Sequence, residues 1–333
     1  MLIYPTSGSG AWEAALVNVL SPGDKVLMYE TGHFASLWAK IAGRLGLETE
    51  FIQGDWRTGV DAAAIEARLA EDRGHTIKAV AVVHNETSTG VLSDIPAVRK
   101  AIDAARHPAL LLVDNVSSAG AILYRHDDWG VDVTVSASQK GLMLPPGIAF
   151  NVASEKALAA SKTAQMARSY WDWADMLASN RTGYFPYTPN TNLLQALKVA
   201  LQMLQDEGLD AVYARHARAA EATRRAVAAW GLELQPTNPA QYSTMLTAVR
   251  MPAGHSADGL RAQILQRYNM SLGSGLGKLA DLVFRIGHLG DFNDLMTTGT
   301  LTGVEMGLKV AGIPHKSGGV DAAMDYLAGN GVP

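Results

Sequence analysis

The 333-residue chain contains no cysteine, which removes disulfides, thiolate metal sites, iron–sulfur clusters and every mechanism with a cysteine nucleophile. Aromatic residues make up only 7% and charged residues only 18% of it. No apolar run reaches the roughly 18–20 residues of a membrane span, and the first residues lack a basic stretch followed by an apolar one. Lysine and arginine number 28 against 32 aspartate and glutamate, a net charge of −4 without any basic run. A binder of the phosphate backbone is therefore not expected, so nucleic acid and membrane are both excluded as expected partners. The expectation is a soluble, cytoplasmic protein with no metal site.

What is present points to a folded enzyme-sized chain. Hydrophobic residues reach 48%, glycine numbers 32, and the length suggests about two domains as a soft prior. In the first half, short apolar runs alternate with amphipathic stretches, the pattern of strands joined by crossover helices. Strands are predicted at 2–5, 25–29, 48–52, 79–83, 109–113 and 131–135, and helices at 12–20, 35–45, 61–71 and 95–105. Near-continuous apolar strands such as Ala109-Leu-Leu-Leu-Val113 imply a mostly parallel sheet covered on both faces, an α/β architecture. The second half reads as a smaller α+β unit, with long helical patterns at 192–204 and 209–230. The latter carries Arg215, Arg218, Arg224 and Arg225 on an expected solvated or interfacial face. The division is placed at 1–209 and 210–333.

In open parallel sheets, ligands bind beyond the carboxyl ends of the strands. Three polar clusters fall there. Thr6-Ser-Gly-Ser-Gly10 lies between a strand and a helix, where small residues and a helix N-terminus suit an anion. It lacks the third glycine of a dinucleotide fingerprint, where Glu13 stands, and the Gly-Lys-Ser/Thr of a P-loop. Alone, it fits a helix-capping turn as well as a ligand site. Asp114 directly follows a buried apolar strand, where a carboxylate is costly unless paired, although a helix N-cap is the local alternative. Gln139-Lys-Gly141 places a lysine at a strand end, where desolvation would make its neutral amine available; a lone lysine would more often be a surface charge. Together, a phosphate loop, an acid able to pair with a protonated ring nitrogen and a desolvated lysine are the parts that hold pyridoxal 5′-phosphate.

The stretches Thr6-Ser-Gly-Ser-Gly-Ala-Trp-Glu-Ala-Ala-Leu-Val-Asn-Val-Leu-Ser-Pro-Gly-Asp24, His84-Asn-Glu-Thr-Ser-Thr-Gly90, Val113-Asp-Asn-Val-Ser-Ser118 and Ser138-Gln-Lys-Gly-Leu-Met-Leu-Pro-Pro-Gly147 resemble class V aminotransferases. Within that class they are most similar to serine-glyoxylate and alanine-glyoxylate aminotransferases. The likeness extends to Gly303-Val-Glu-Met-Gly-Leu308 and Gly318-Gly-Val-Asp-Ala-Ala323. The resemblance implies the pyridoxal-phosphate transferase fold of type I. It makes Lys140 the Schiff-base lysine and Asp114 the partner of the pyridine nitrogen. Ser9, Gly10, Ala11 and Gln139 match cofactor-binding positions at the phosphate, Thr87 the hydroxyl near the ring oxygen, and Phe34 the aromatic stacked on the ring. Arg285, in Phe284-Arg-Ile-Gly287, matches the arginine that forks onto the substrate carboxylate. Thr188, and less closely Tyr187, match residues reaching the phosphate of a neighbouring subunit, which implies a homodimer with shared sites. His33 and His84 are read as structural.

The implied reaction moves an amino group from a small amino acid (serine, alanine or aspartate) to glyoxylate, giving glycine and a keto acid. Cysteine desulfurases of the same class carry a persulfide on cysteine, so that branch is excluded here. A lyase acting on a hydroxyamino acid remains the alternative chemistry. Family members begin some tens of residues earlier, with a Pro-Gly-Pro turn, so an N-terminal segment is expected to be missing. A truncated, inactive member is the third reading.

Overall fold

The computed structural model describes residues 1–329 of the 333. Its elements run β1 (Leu2–Tyr4), α1 (Gly8–Val19), β2 (Lys25–Tyr29), α2 (His33–Arg44), β3 (Glu48–Ile52), α3 (Ala62–Glu71) and β4 (Ile77–Val83). A two-stranded hairpin of β5 (Asn85–Glu86) and β6 (Val91–Leu92) precedes α4 (Ile95–Ala104), β7 (Leu110–Asp114), β8 (Val133–Ala137) and β9 (Ala149–Ala153). Four helices follow: α5 (Glu155–Ser161), α6 (Trp173–Asn180), α7 (Thr191–Glu207) and α8 (Leu209–Trp230). The chain then forms β10 (Glu233–Leu234), β11 (Leu246–Arg250), α9 (Ala257–Tyr268), β12 (Gly273–Ser274), β13 (Val283–Gly287), α10 (Asp294–Val310) and α11 (Gly319–Gly329).

Seven strands form the main sheet in the order β1-β9-β8-β7-β4-β2-β3. The run β8-β7-β4-β2-β3 is parallel, and β9 and then β1 join antiparallel. The apolar strand pattern is explained by two-sided burial. Along β4, Ala79, Ala81 and Val83 enter one core with α1 and α2, while Val80 and Val82 enter another with Ile65 and Leu69 of α3 and Val98 and Ile102 of α4. Leu110 and Leu112 of β7 join the first, Leu111 and Val113 the second. Alternate side chains of a strand point to opposite faces, so every residue must be apolar when both faces are covered. Truncating Leu111, fully buried, to alanine would cost about 2–5 kcal/mol.

The second sheet is antiparallel, β10-β11-β13-β12. Its core gathers Val249, Phe284 and Ile286 with residues of α8, α9, α10 and α11. Among the described residues no helix is long and apolar enough to cross a membrane.

Three sequence expectations need correction. The helix predicted over 12–20 begins at Gly8, because the small residues form its first turn instead of a loop. β9 was not foreseen, since Ala149-Phe-Asn-Val-Ala153 is short and follows Pro145-Pro-Gly147. Arg218 is not on a solvated face: it is 8% exposed and pairs with Asp294 at 3.0 Å.

Candidate active site

Because β1, β2, β4, β7 and β8 run in one direction, their carboxyl ends and following loops meet at one edge of the sheet. There a cavity of about 170 Å³ is lined by Ser7, Gly8, Ser9, Trp12, Phe34, Val83, Asn85, Thr87, Asp114, Val116, Ser117, Gln139 and Lys140.

One wall is the start of α1. Ser7 is extended and its side chain does not cap its own helix. Its carbonyl accepts from the amides of Gly10 (3.0 Å) and Ala11 (3.3 Å). The amides of Gly8 and Ser9 are left with no acceptor among the described residues, at the positive end of a helix. A Cβ on Gly8 would come within 2.8 Å of Val116, so the close approach needs glycine. The structure places the expected trio Ser9, Gly10 and Ala11 in the first turn of this helix. Ser9 lines the cavity, with Ser7 and Gly8 beside it, whereas Gly10 and Ala11 donate their amides to Ser7 and do not line it.

At the end of β7, Asp114 is 4% exposed. Its Oδ1 accepts from the Val116 amide at 2.7 Å within a turn that no helix follows, so it is not the helix N-cap given as the alternative, and its Oδ2 accepts from the Trp12 indole at 3.0 Å. No cation of the described residues lies within ion-pair distance. Burial, aided by the nearby Glu86 charge, pushes its carboxyl up to about 7. Lys140, beyond the end of β8, is half-buried, and its Nζ has no partner among the described residues. Burial, with the Arg285 charge adding to it, holds its ammonium below the ordinary lysine range. Two further polar atoms here are buried and unpartnered, Oε1 of Gln139 and Oδ1 of Asn85.

Arg285 arrives from the other sheet, on β13. Its Nε donates to the Ser274 carbonyl at 2.8 Å and its Nη1 to the Thr87 carbonyl at 2.7 Å. Nη2 has no partner among the described residues. The site thus collects Ser9, Phe34, Thr87, Asp114, Gln139, Lys140 and Arg285 from positions spread over most of the chain. Tyr187 and Thr188 are not among them. They line a separate surface depression with Tyr184 and Phe185, where the Tyr187 ring stacks on Tyr170 at 4.7 Å. Trp12, Asn85, Ser7 and Gly8 were missed. Trp12 had a readable signal, since it stands one helical turn after Gly8 and shares its face of α1.

These loose ends fit one cofactor. Free amides and serine hydroxyls suit a phosphate, an uncompensated buried carboxylate suits a protonated pyridine nitrogen, and an unpartnered, partly desolvated lysine suits an aldehyde. Fold and site together define a pyridoxal-5′-phosphate enzyme of fold type I.

The family model of class-V aminotransferases matches residues 2–280. The chain is 48% identical over 333 residues to a serine–glyoxylate aminotransferase of Hyphomicrobium methylovorum, covering 99% of this chain and 82% of that one. It is 45% identical over 327 residues to an L-aspartate–glyoxylate aminotransferase of Paracoccus denitrificans, covering 98% and 83%. The solved structure of pyridoxamine–pyruvate aminotransferase from Mesorhizobium loti superposes with a TM-score of 0.92 at 30% identity, over 99% of this chain and 84% of that one. The chain belongs to the class-V aminotransferase family and is a pyridoxal-phosphate-dependent transaminase.

Proposed function

We propose that the enzyme moves an amino group from a small amino acid, serine, alanine or aspartate, to glyoxylate. The glyoxylate aminotransferases of Hyphomicrobium and Paracoccus support the acceptor. The carrying observation in the structure is the juxtaposition of Lys140 and Asp114 on one cavity, with Arg285 held on the carbonyl of Thr87, which lines it.

In this reading Ser7, Gly8, Ser9 and Gln139 hold the cofactor phosphate, Phe34 lies against the ring, Thr87 offers a hydroxyl to the ring oxygen, and Asp114 keeps the ring nitrogen protonated. Bound in this way, pyridoxal phosphate supplies an electron sink for charge developing at the substrate Cα and a carbon that carries the amino group. Lys140 would hold the cofactor covalently, and its free Nζ would take the proton from the substrate Cα. Burial lowers the charge on Nζ, which favours the neutral amine that this task needs. Arg285, anchored through Nε and Nη1 to two carbonyls, receives the substrate carboxylate on its remaining edge.

Residues 1–209 are proposed as the cofactor domain and residues 210–333 as the small domain, because α8 packs into the core of the second sheet. Residues 330–333 of that range lie outside the described residues. Two copies are proposed to associate so that the exposed 183–191 segment, with Tyr187 and Thr188, meets the partner's site. A donor panel with glyoxylate as common acceptor tests the function. The expected result is glycine formed in step with a keto acid; ammonia release without dependence on glyoxylate would instead show a lyase.

A further inference from the structure

The motif His84–Gly90 contributes Thr87 to the site, yet its most buried charge belongs to Glu86, which is fully buried. A buried carboxylate is costly without full compensation, and this one is compensated by the start of α2. The N-cap residue of α2 is Gly32, which has no side chain to offer. The first three amides of the helix, which have no acceptor within it, are all taken from outside. His33 N donates to Ser88 Oγ at 2.9 Å, Phe34 N to Glu86 Oε1 at 3.3 Å, and Ala35 N to Glu86 Oε2 at 3.1 Å. Ser88 Oγ passes its own hydrogen to Glu86 Oε1 at 2.6 Å, and the Ser88 amide donates to the same oxygen at 3.1 Å. A Cβ on residue 32 would stand 2.5 Å from both Glu86 Cγ and Ser88 Oγ, so glycine leaves room for the remote cap.

The residue enclosed by this arrangement is Thr87, whose carbonyl holds Arg285 Nη1 at 2.7 Å. One tripeptide therefore fixes an aromatic wall of the cavity through α2 and the carboxylate-binding arginine through its backbone.

We propose that Glu86 is a positioning residue: with Ser88 it anchors the first turn of α2, setting Phe34 against the cavity, and it steadies the Thr87 carbonyl that orients Arg285. This rests on the cofactor reading given above for Phe34 and Arg285. Glu86 touches neither cofactor nor substrate in this account; it acts through those two side chains and, by its charge, on Asp114.

The test compares the parent chain with Glu86→Gln and Ser88→Ala. Glutamine keeps the shape but turns an NH2 group toward N–H donors. In the cofactor-free Glu86→Gln protein, the amides of Phe34 and Ala35 should exchange with deuterium about tenfold faster, while amides of β7 and β8 keep their protection. After pyridoxal phosphate is added, the visible circular dichroism per bound cofactor should fall and the KM for glyoxylate should rise about tenfold. Parent-like exchange together with parent-like dichroism overturns the proposal. Should Glu86→Gln lose protection throughout, Ser88→Ala decides: faster exchange at His33 with weakened dichroism upholds the proposal, and parent values overturn it. A parent chain that binds no pyridoxal phosphate would refute the cofactor reading instead, and the exchange result would still uphold or overturn the remote cap.

Discussion

The two sheets build the site in opposite ways. The seven-stranded sheet sends six strands in one direction, and the loops after five of them, β1, β2, β4, β7 and β8, converge and deliver Ser7, Gly8, Phe34, Thr87, Asp114 and Lys140. The four-stranded sheet is antiparallel, has no common carboxyl edge, and contributes the single side chain of Arg285 from mid-strand. That contribution works only because the second unit is tied down. Lys278 pairs with the buried Glu30 at 2.6 Å, Arg57 donates to the Gln235 carbonyl at 3.0 Å, Gln235 donates to the Trp56 carbonyl at 2.7 Å, and the Ser243 amide donates to the Gly90 carbonyl at 2.9 Å. On the proposed reading the difference is a division of labour, in which the parallel sheet would hold the cofactor and the antiparallel one would read the substrate.

Substitutions can break that division. Lys140→Ala should have the largest effect, a fall in transamination of about 10⁴-fold or more with loss of the bound cofactor's visible absorbance. Asp114→Asn should follow, lowering turnover by about 10²–10³-fold. It should also raise the melting temperature of the cofactor-free protein at pH 8. The sign follows from the carboxyl standing at about 7 in place of 3.8: the unfolded chain ionises first, so folding loses stability as pH rises through that window and carries the full penalty above it. At pH 4 the gain should vanish. Arg285→Lys should raise the KM for both acids by about 10²-fold, by losing a forked contact, while leaving cofactor affinity at the parent value. A matching loss of cofactor affinity would erase the proposed division. Trp12→Phe should have the smallest effect, weakening cofactor affinity about tenfold through the lost hydrogen bond to Asp114.

Much of this was legible because the chemistry sits where strands end. Asp114 closes an apolar run and Lys140 lies three residues beyond the end of a buried strand, so a charge near a strand's end marked both. Which amides of the Thr6–Gly10 segment stay free was not legible: it depends on which carbonyl the helix uses first, and Ser7 supplies it, leaving those of Gly8 and Ser9. Only the fold brings the Trp12 indole N–H to Asp114, while its ring stacks on Trp38 at 5.7 Å. Glu86 was hidden for the same reason, since its partners lie some fifty residues away on α2. β9 escaped because it is short, follows Pro145-Pro-Gly147 and carries the polar Asn151 in its middle.

The central claim is that Lys140 carries the cofactor. Incubation with pyridoxal 5′-phosphate, borohydride reduction and peptide mass spectrometry test it directly. The account predicts one phosphopyridoxyl group per chain, on the peptide containing Gln139-Lys140-Gly141. Label on another lysine, or none under conditions where the chain transaminates, would contradict it.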